Sequence, residues 1–516
     1  MEYLNIAVEG CCHGELDIIY DTIREAEKRG GPKVDLLLVC GDFECVRTNT
    51  DLQCVAVPQK YRKLNTFHQY VTGEKVAYVP TIFIGGNHEA SNILHSLYYG
   101  GYVAPNIYFM GFAGVVWFGG VRIAGISGIF NQRHYRIGHF ELPPYTPDTL
   151  RSIYHQRELE VFRMAQITGR VDIFLSHDWP TDIWEYGDKE RLLQRKPYFR
   201  DEMDSGSMGS PPLMHLLRGL RPSLWFSAHL HVKFAAIYSH EQLLTEDSSG
   251  VSDVKGNVQG TDNISRPAEA LKPTSTRFLA LDKVLPGRDF LQIMKVVKTR
   301  TAPNDGNFIQ HDPQWVAILR KTHSLLCTSN GPVQMPAVVE AVTQSEINEA
   351  SDMIRRAYGS MRVPNINTCD LPYGRQLHSE GNPQTDKFLS ALGLNHIWTR
   401  PCDQHIQNQS NTHGEYSAHP VARGYSNPPP PSAPPPSVPY HAGMNPPPPP
   451  MPPPSWTIRH QRQSPPPLNS SYPHDVIDFE NDQQFSSNFP PVEGSNTSSF
   501  QQLRVVDDNA IDIDDV

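Results

Sequence analysis

Side chains that can bind a metal ion recur between positions 11 and 231 of this 516-residue chain. They are Cys11, His13, Asp42, Asn87, His88, His177, His229 and His231. A mixture of nitrogen and oxygen ligands suits Zn, Fe(II) or Mn(II). A carboxylate that reaches two ions can bridge them, and two ions can hold both the attacking and the leaving oxygen of a phosphoryl displacement. These residue types therefore predict metal-dependent phosphate ester hydrolysis, with Asp42 as the natural bridge.

Most of these residues follow a short apolar run that is typical of a buried strand. Strands are predicted over residues 3–8, 34–39, 81–84, 121–126, 172–175 and 224–227. A helix is predicted between the first two strands, because apolar residues from Leu16 to Ala26 form one stripe that ends at Gly30-Gly31. Strand, helix and strand in this order are typical of an α/β sheet with covered faces. Catalytic groups gather at the carboxyl ends of such strands.

Each residue taken alone also has a plain structural explanation. A single buried histidine is commonly a hydrogen-bonded core residue, Asp42 could cap a helix, and Cys11 could serve as a small buried hydrophobe. The repetition after strand upon strand favours a functional site over these separate explanations.

Five short blocks carry the candidate ligands. The blocks are Gly10-Cys11-Cys12-His13, Gly41-Asp42, Gly86-Asn87-His88-Glu89, Ser176-His177-Asp178 and Ala228-His229-Leu230-His231. They resemble the five motifs of the calcineurin-like metallophosphoesterase superfamily. Residues 9–17, 128–131, 138–141, 151–155 and 225–231 are similar to the RNA lariat debranching enzyme family in particular. The resemblance is close over the first three hundred residues and looser over the next hundred.

The resemblance implies an α/β fold, a metallophosphoesterase β-sandwich flanked by helices in αββα layers. It also implies hydrolysis of the 2′–5′ phosphodiester at the branch point of excised intron lariat RNA. Asp42 would bridge two metal positions. One position would use Asn87, His177 and His229, and the other His13 and His231. His88 would lie beside the scissile phosphate, donating a proton to the leaving 2′-oxygen or stabilising phosphoryl charge, and Glu89 would orient the loop.

Cys11 departs from the wider superfamily, whose first block normally supplies an aspartate. A thiolate is softer than a carboxylate and offers no second oxygen, so this position should hold a hard ion less firmly. The debranching family shares the substitution. We therefore expect one or two divalent ions, Fe(II), Zn or Mn(II), and an oxidation-sensitive site.

A second group of candidates lies at residues 131–145, which resemble the lariat recognition loop of the family. The candidate RNA contacts are Asn131, Arg133, His134, Tyr135, Arg136 and His139. Cations suit phosphates, and rings suit stacking on unpaired bases. The alternative is a solvated basic loop.

Composition divides the chain. A catalytic domain is predicted over residues 1–300, interrupted at 241–275 by a polar insertion that should be disordered. The resemblance implies a C-terminal domain of the debranching family at 301–400, whose role the pattern does not indicate. Residues 401–516 are predicted to be a disordered tail, rich in proline and ending in acidic residues. Its proline runs could bind proline-motif-recognising proteins or act as spacers.

The rest of the composition restricts location and partners. The net charge of −10 does not indicate a nucleic-acid-binding protein in the way that a basic domain would. No run of about 18 apolar residues exists, so no membrane association is expected. Eight cysteines without a disulfide rhythm favour a reducing, intracellular setting. Nuclear location follows from the implied intron substrate, although no unambiguous basic import signal is visible.

Two alternatives to an RNA debranching enzyme are considered. A phosphatase on the same scaffold is disfavoured by Cys11 and by the 131–145 loop. A non-catalytic RNA-binding protein is disfavoured because the set of candidate ligands and His88 is complete.

Overall fold

The computed structural model describes residues 2–240, 272–300, 307–365 and 382–396, together with the backbone of Thr457–Arg459. Nearly all of the predicted insertion at 241–275 and of the predicted tail at 401–516 lies outside the described residues.

Two large sheets and a small two-stranded one form the framework within the described residues. The strands are β1 Tyr3–Glu9, β2 Leu36–Val39, β3 Thr81–Phe83, β4 Gly101–Ala104, β5 Ile107–Phe109, β6 Ala113–Phe118, β7 Val121–Ile126, β8 Ile173–Ser176, β9 Leu224–Ser227, β10 Phe234–Ser239, β11 Ser275–Ala280, β12 Leu291–Val297, β13 Ile309–His311, β14 Val338–Glu340 and β15 Thr457–Arg459. The predicted strands are present, with β2 beginning at Leu36 instead of residue 34.

Helices cover the outer faces of the two large sheets. They are α1 Leu16–Lys28, α2 Phe67–Thr72, α3 Ser91–Ser96, α4 Pro147–Ser152, α5 Glu158–Ala165, α6 Lys189–Arg195, α7 Phe199–Ser205, α8 Pro211–Leu220, α9 Pro313–Thr322, α10 Gln344–Tyr358 and α11 Pro383–Ala391. Among the described helices, none combines the length and the apolar character needed to cross a bilayer.

Strand order brings the predicted site together. The first sheet runs β12-β1-β2-β3-β5-β4, and β1, β2 and β3 are parallel. The second runs β10-β11-β9-β8-β7-β6-β13, and β7, β8 and β9 are parallel. Because parallel strands end at the same edge, the loops after them converge.

Alternating side chains in each central strand explain the layers. In β2, Leu36 and Leu38 pack between the two sheets, whereas Leu37 and Val39 pack against the helices on the first sheet. In β8, Ile173 faces the other sheet and Phe174 faces the outer helices. A strand that is buried on both faces has a continuous run of apolar residues in its sequence, and β2 and β8 have such runs. The predicted αββα sandwich is confirmed.

The described part of residues 301–400 is built onto this sandwich. Strand β13 pairs with β6 at the edge of the second sheet. Helix α9 buries Trp315 and Ile318 in the same apolar cluster as Phe162 of α5. The predicted domain boundary at residue 300 stays a prediction, and the helices after it share the core of the second sheet.

Candidate metal centre

Sharp backbone turns follow the strands that carry the candidate ligands. Four of these residues have positive φ angles: His13 at 46°, Asp42 at 50°, His229 at 64° and His231 at 47°. Residues with a Cβ rarely adopt this region, at a cost of about 1–2 kcal/mol each, and such strain gathers at functional sites. The turns reverse the chain directly after β1, β2 and β9.

Two glycines make room for the centre. A Cβ on Gly41 would come within 2.3 Å of His177 Nδ1, and Gly41 itself has a φ of +113°. A Cβ on Gly86 would come within 2.2 Å of Asp42 Oδ1. Both glycines are therefore required by the close approach of the loops after β2, β3 and β8.

Asp42 lies at the middle of the site, with 1% of its surface exposed. Its Oδ1 is 3.3 Å from His177 Nε2, and its Oδ2 is 3.6 Å from His13 Nε2. Burial opposes ionisation, but the surrounding histidines outweigh it and hold the pKa of the Asp42 carboxyl well below its usual range. The two oxygens thus serve two different sets of side chains.

The first set surrounds His177. Its Nδ1 donates to the carbonyl of Cys40 over 2.8 Å, which directs Nε2 towards the centre. That nitrogen faces Oδ1 of Asn87 at 3.0 Å and Oδ1 of Asp42, both of which are acceptors. The ring of His229 lies 5.0 Å from that of His177, centroid to centroid. One imidazole nitrogen and two oxygens that face one another form a set of donor atoms suited to a cation.

The second set surrounds His13. A hydrogen bond of 3.3 Å from Nδ1 to Glu44 Oε1 fixes the ring, and its Nε2 then faces His231 Nε2, also at 3.3 Å. Side-chain donor atoms of Cys11, His13, Asp42 and His231 all lie within 4.8 Å of one another. A carboxylate behind a metal-facing histidine is the common way in which proteins orient such a ligand.

The donor atoms suit a divalent transition metal. Sulfur, imidazole nitrogen and carboxylate oxygen together form a borderline-soft set. Burial, followed by repulsion from Asp42, raises the pKa of the Cys11 thiol, which a bound cation would oppose. Burial lowers the pKa of His229 to about 3, so that its ring is neutral and able to act as a ligand. The residues therefore fit the metal that the sequence predicts.

Glu89 ties the loops after β2 and β3 together. Its carboxylate accepts N–H bonds from Gly86 at 2.8 Å and from Phe43 and Glu44 at 2.9 Å. Burial and the nearby Asp42 raise the pKa of this carboxyl to about 8. These bonds agree with the orienting role expected for Glu89.

His88 lies beside the second set of ligands. Its ring centroid is 5.5 Å from that of His13, and its backbone N–H donates to Asp42 Oδ1 over 2.9 Å. Burial lowers the pKa of the imidazole, which favours the neutral ring. Its Nδ1 is buried and has no hydrogen-bond partner among the described residues. The predicted role of His88 at the phosphate stays a prediction.

The six candidates in the 131–145 loop do not share one surface. Tyr135 and His139 are each only 2% exposed, and His139 Nε2 is 3.1 Å from Glu160 Oε1. Arg133 and Arg136 are exposed. Asn131, partly buried, accepts an N–H bond from Arg133 at 3.0 Å and shapes the turn.

His134 is half-buried and stacks on His155, with their Nδ1 atoms 2.7 Å apart. Of the six, the two arginines are therefore the most accessible to RNA. Contact between RNA and the loop stays a prediction, and Tyr135 and His139 face the core in this conformation.

Residues 327–333, almost two hundred positions further along the chain, support the same loop. Gly138 N–H donates to the Ser329 carbonyl at 2.8 Å, and His139 N–H donates to that of Cys327 at 3.0 Å. Val333 N–H returns a bond to the Arg136 carbonyl at 2.7 Å. Residues 327–333 belong to the 301–400 region, whose role the sequence did not indicate. This part of the region holds the 131–145 loop in place.

Two supporting groups were missed in the sequence. Glu44 carries a signal, because it is a carboxylate two residues after Asp42, at the same strand end. The Cys40 carbonyl carries none, because any residue at that position would supply the same acceptor.

Known proteins resemble both halves of the described chain. Residues 4–233 match the calcineurin-like phosphoesterase family, and residues 273–397 match the C-terminal domain of lariat debranching enzymes. The lariat debranching enzymes of Gallus gallus and Homo sapiens are each 44% identical over 425 residues, which cover 80% of this chain and 74% and 73% of theirs. The Arabidopsis thaliana enzyme is 43% identical over 403 residues, 76% of this chain and 87% of that one.

We predict that Gly86→Ala weakens divalent metal binding about 10- to 100-fold, the usual effect of displacing a ligand's support, because the added Cβ pushes Asp42 aside. Gly219→Ala is the matched control, since a Cβ there meets nothing within 4 Å. Metal content after dialysis, together with urea unfolding, checks this. Equal metal content in the two variants would show that the close approach of Gly86 does not position Asp42.

Proposed function

The chain belongs to the lariat debranching enzyme family, and we propose that it hydrolyses the 2′–5′ phosphodiester at the branch point of intron lariat RNA at the centre around Asp42. The observation that carries this proposal is the division of the Asp42 carboxylate between two sets of ligands. Such an arrangement suits a phosphodiester, whose attacking and leaving oxygens lie on opposite sides of phosphorus.

The residues that would hold metal are those of the two sets. Asn87, His177 and His229 join Asp42 in one set, and Cys11, His13 and His231 join it in the other. A divalent ion held there would place positive charge at the phosphate and would lower the pKa of a bound water. The protein's own contribution is to fix the ligands, through Cys40, Glu44 and Glu89 behind them.

For the metal itself, we propose Fe(II), Zn or Mn(II), as one ion or two. Support comes from the sulfur of Cys11, which also accepts the N–H of His229 at 3.1 Å. Thiolate favours the softer members of this series, Fe(II) and Zn, over Mn(II).

For His88, we propose a role at the phosphate, either giving a proton to the leaving 2′-oxygen or donating a hydrogen bond to the phosphoryl oxygens. Its place next to Asp42 and His13 supports this assignment. Exposed Arg133 and Arg136 would bind phosphates of the RNA.

The setting is also part of the proposal. An intron substrate implies that the protein is located in the nucleus. Imaging of the tagged full chain tests this: a nuclear signal would support the proposed location, and a cytoplasmic signal would contradict it. Proline-motif-binding partners of the tail belong to the same set of proposals, since proline runs suit such domains.

The first prediction from the proposed function concerns the reaction. Full-length protein supplied with Mn(II) or Fe(II) should release the 2′-linked strand of a synthetic branched RNA and leave a linear 3′–5′ RNA intact. A chelator should abolish the release, and added metal should restore it. Hydrolysis of a generic phosphomonoester alone would point to the phosphatase alternative, and RNA binding without any hydrolysis would point to a non-catalytic protein.

The second prediction concerns His88. His88→Ala should slow branched RNA cleavage about 100- to 10,000-fold, the usual worth of a positioned acid or donor. Metal content should be unchanged. If His88 protonates the leaving oxygen, a p-nitrophenyl ester, which needs no such proton, should be cleaved almost normally. An equal loss of activity on both substrates would mean that His88 acts on the phosphoryl oxygens. No loss of activity on either substrate would mean that His88 has no role in the reaction.

The third prediction concerns Cys11. Cys11→Asp should shift the metal preference towards Mn(II) and remove inhibition by peroxide, because the ligand becomes hard and loses its sulfur. Cys54→Ser is the control, since Cys54 is only partly buried and lies outside the ligand set. Unchanged metal preference and peroxide sensitivity in Cys11→Asp would contradict the proposed role of the thiolate.

A further inference from the structure

A basic and aromatic segment lies beside the metal centre. Residues 60–64, here called the 60–64 segment, read Lys60-Tyr61-Arg62-Lys63-Leu64. Both lysines are exposed. Tyr61 and Leu64 are among the exposed large hydrophobic residues, at 37% and 39%. Exposed cations alternate here with apolar side chains, although the chain as a whole carries a net charge of −10.

The segment is held in a defined conformation. Arg62 is used internally: its Nε donates to the Val57 carbonyl and its Nη1 to Gln53 Oε1, each over 3.0 Å. The ammonium of Lys60 lies 4.7 Å from the centre of the Tyr61 ring. The two lysines and the tyrosine are therefore exposed to solvent on a turn that the hydrogen bonds of Arg62 hold in place.

The residue that follows the segment contacts the loop of His13. Asn65, the next residue, donates from Nδ2 to the carbonyl of His13 over 3.1 Å. A Cβ on Gly14 would come within 2.3 Å of the same Nδ2. The 60–64 segment thus flanks the loop that carries His13.

The 131–145 loop is joined to the metal centre at a different point from the 60–64 segment. Gly128 N–H, just before it, donates to the Gly85 carbonyl at 2.8 Å, and Phe130 N–H donates to Asp178 Oδ2 at 3.3 Å. His13 follows β1 and Gly85 follows β3, with β2 between them, which separates the strands by about 10 Å. A branched nucleotide joins three RNA strands. Because the 60–64 segment and the 131–145 loop are attached to the centre at different points, they could direct two of these RNA strands away from each other.

We propose that the 60–64 segment binds the single-stranded RNA that leads away from the branch, with a base stacked on Tyr61 and phosphates at Lys60 and Lys63. This inference rests on the proposed function for the identity of the ligand. Stacking on aromatic rings is tolerant of sequence, and lysines bind phosphate as point charges. Such a site would favour RNA with extended arms over a bare branched trinucleotide.

The test uses full-length protein and two branched RNAs, one with arms of several nucleotides and one trimmed to a single nucleotide on each arm. Tyr61→Ala should raise KM for the long-armed RNA about 5- to 140-fold, the range expected for loss of one stacked base. The value of kcat should not change, nor should KM for the trimmed RNA. Lys60→Ala with Lys63→Ala should also lower the slope of log affinity against log salt by about 1.4.

Tyr78 offers a matched control. It is also 37% exposed and has a cation over its ring, Arg24 at 4.5 Å. It precedes β3 and bonds to Glu27 of α1, at the opposite end of the sheet from the ligands. Tyr78→Ala and Arg24→Ala should leave both substrates unaffected.

Two results would overturn the proposal. One is an unchanged KM for the long-armed RNA. That result would mean that the segment receives a different partner, such as an acidic protein. The other is an equal loss on both RNAs, which would mean that the segment only supports the loop of His13. If the parent protein cleaves no branched RNA, the proposed function fails, and binding of a labelled single-stranded RNA by the parent and by Tyr61→Ala, followed by fluorescence anisotropy, decides about the segment separately.

Discussion

The structure depends on one buried carboxylate. Asp42 is almost fully enclosed, and the pKa of its carboxyl is held low by the histidines around it. A charge buried in this way is costly unless it is paired. The two oxygens are directed at two histidines from different sheets, His13 and His177. The cost is offset only while both sheets keep their relative position, so the sandwich and the site stabilise the same arrangement.

Backbone strain is concentrated around this carboxylate. Eight described residues other than glycine have positive φ angles, and five of them are His13, Asp42, Glu44, His229 and His231. Such conformations persist only where the surrounding structure determines them strongly. Here the regular packing of β1, β2 and β9 on either side holds the turns, so the apolar strands supply the stability that the ligand loops lack.

The candidate ligands can be read from the sequence because metal chemistry allows few residue types and each candidate follows a predicted strand. The supports were less readable, because they act through backbone atoms or over long distances. The Cys40 carbonyl fixes His177, and residues 327–333 hold a loop almost two hundred positions earlier. Tyr135 and His139 show a further difficulty: rings suited to stacking on RNA are equally suited to a core, and only packing shows which use applies.

Selectivity for a branched substrate has to arise outside the metal centre. The centre lies within residues 4–233, which match phosphoesterases in general, so its ligands alone do not distinguish one phosphodiester from another. Residues 273–397, which match the C-terminal domain of lariat debranching enzymes, include the segment whose carbonyls at Cys327 and Ser329 accept N–H bonds from the 131–145 loop. These bonds fix the loop at residues 136–139, and a fixed loop loses less conformational entropy on binding than a free one. Residues 327–333 therefore limit where the loop can place its arginines, and through them the C-terminal region would contribute to the proposed contact with RNA.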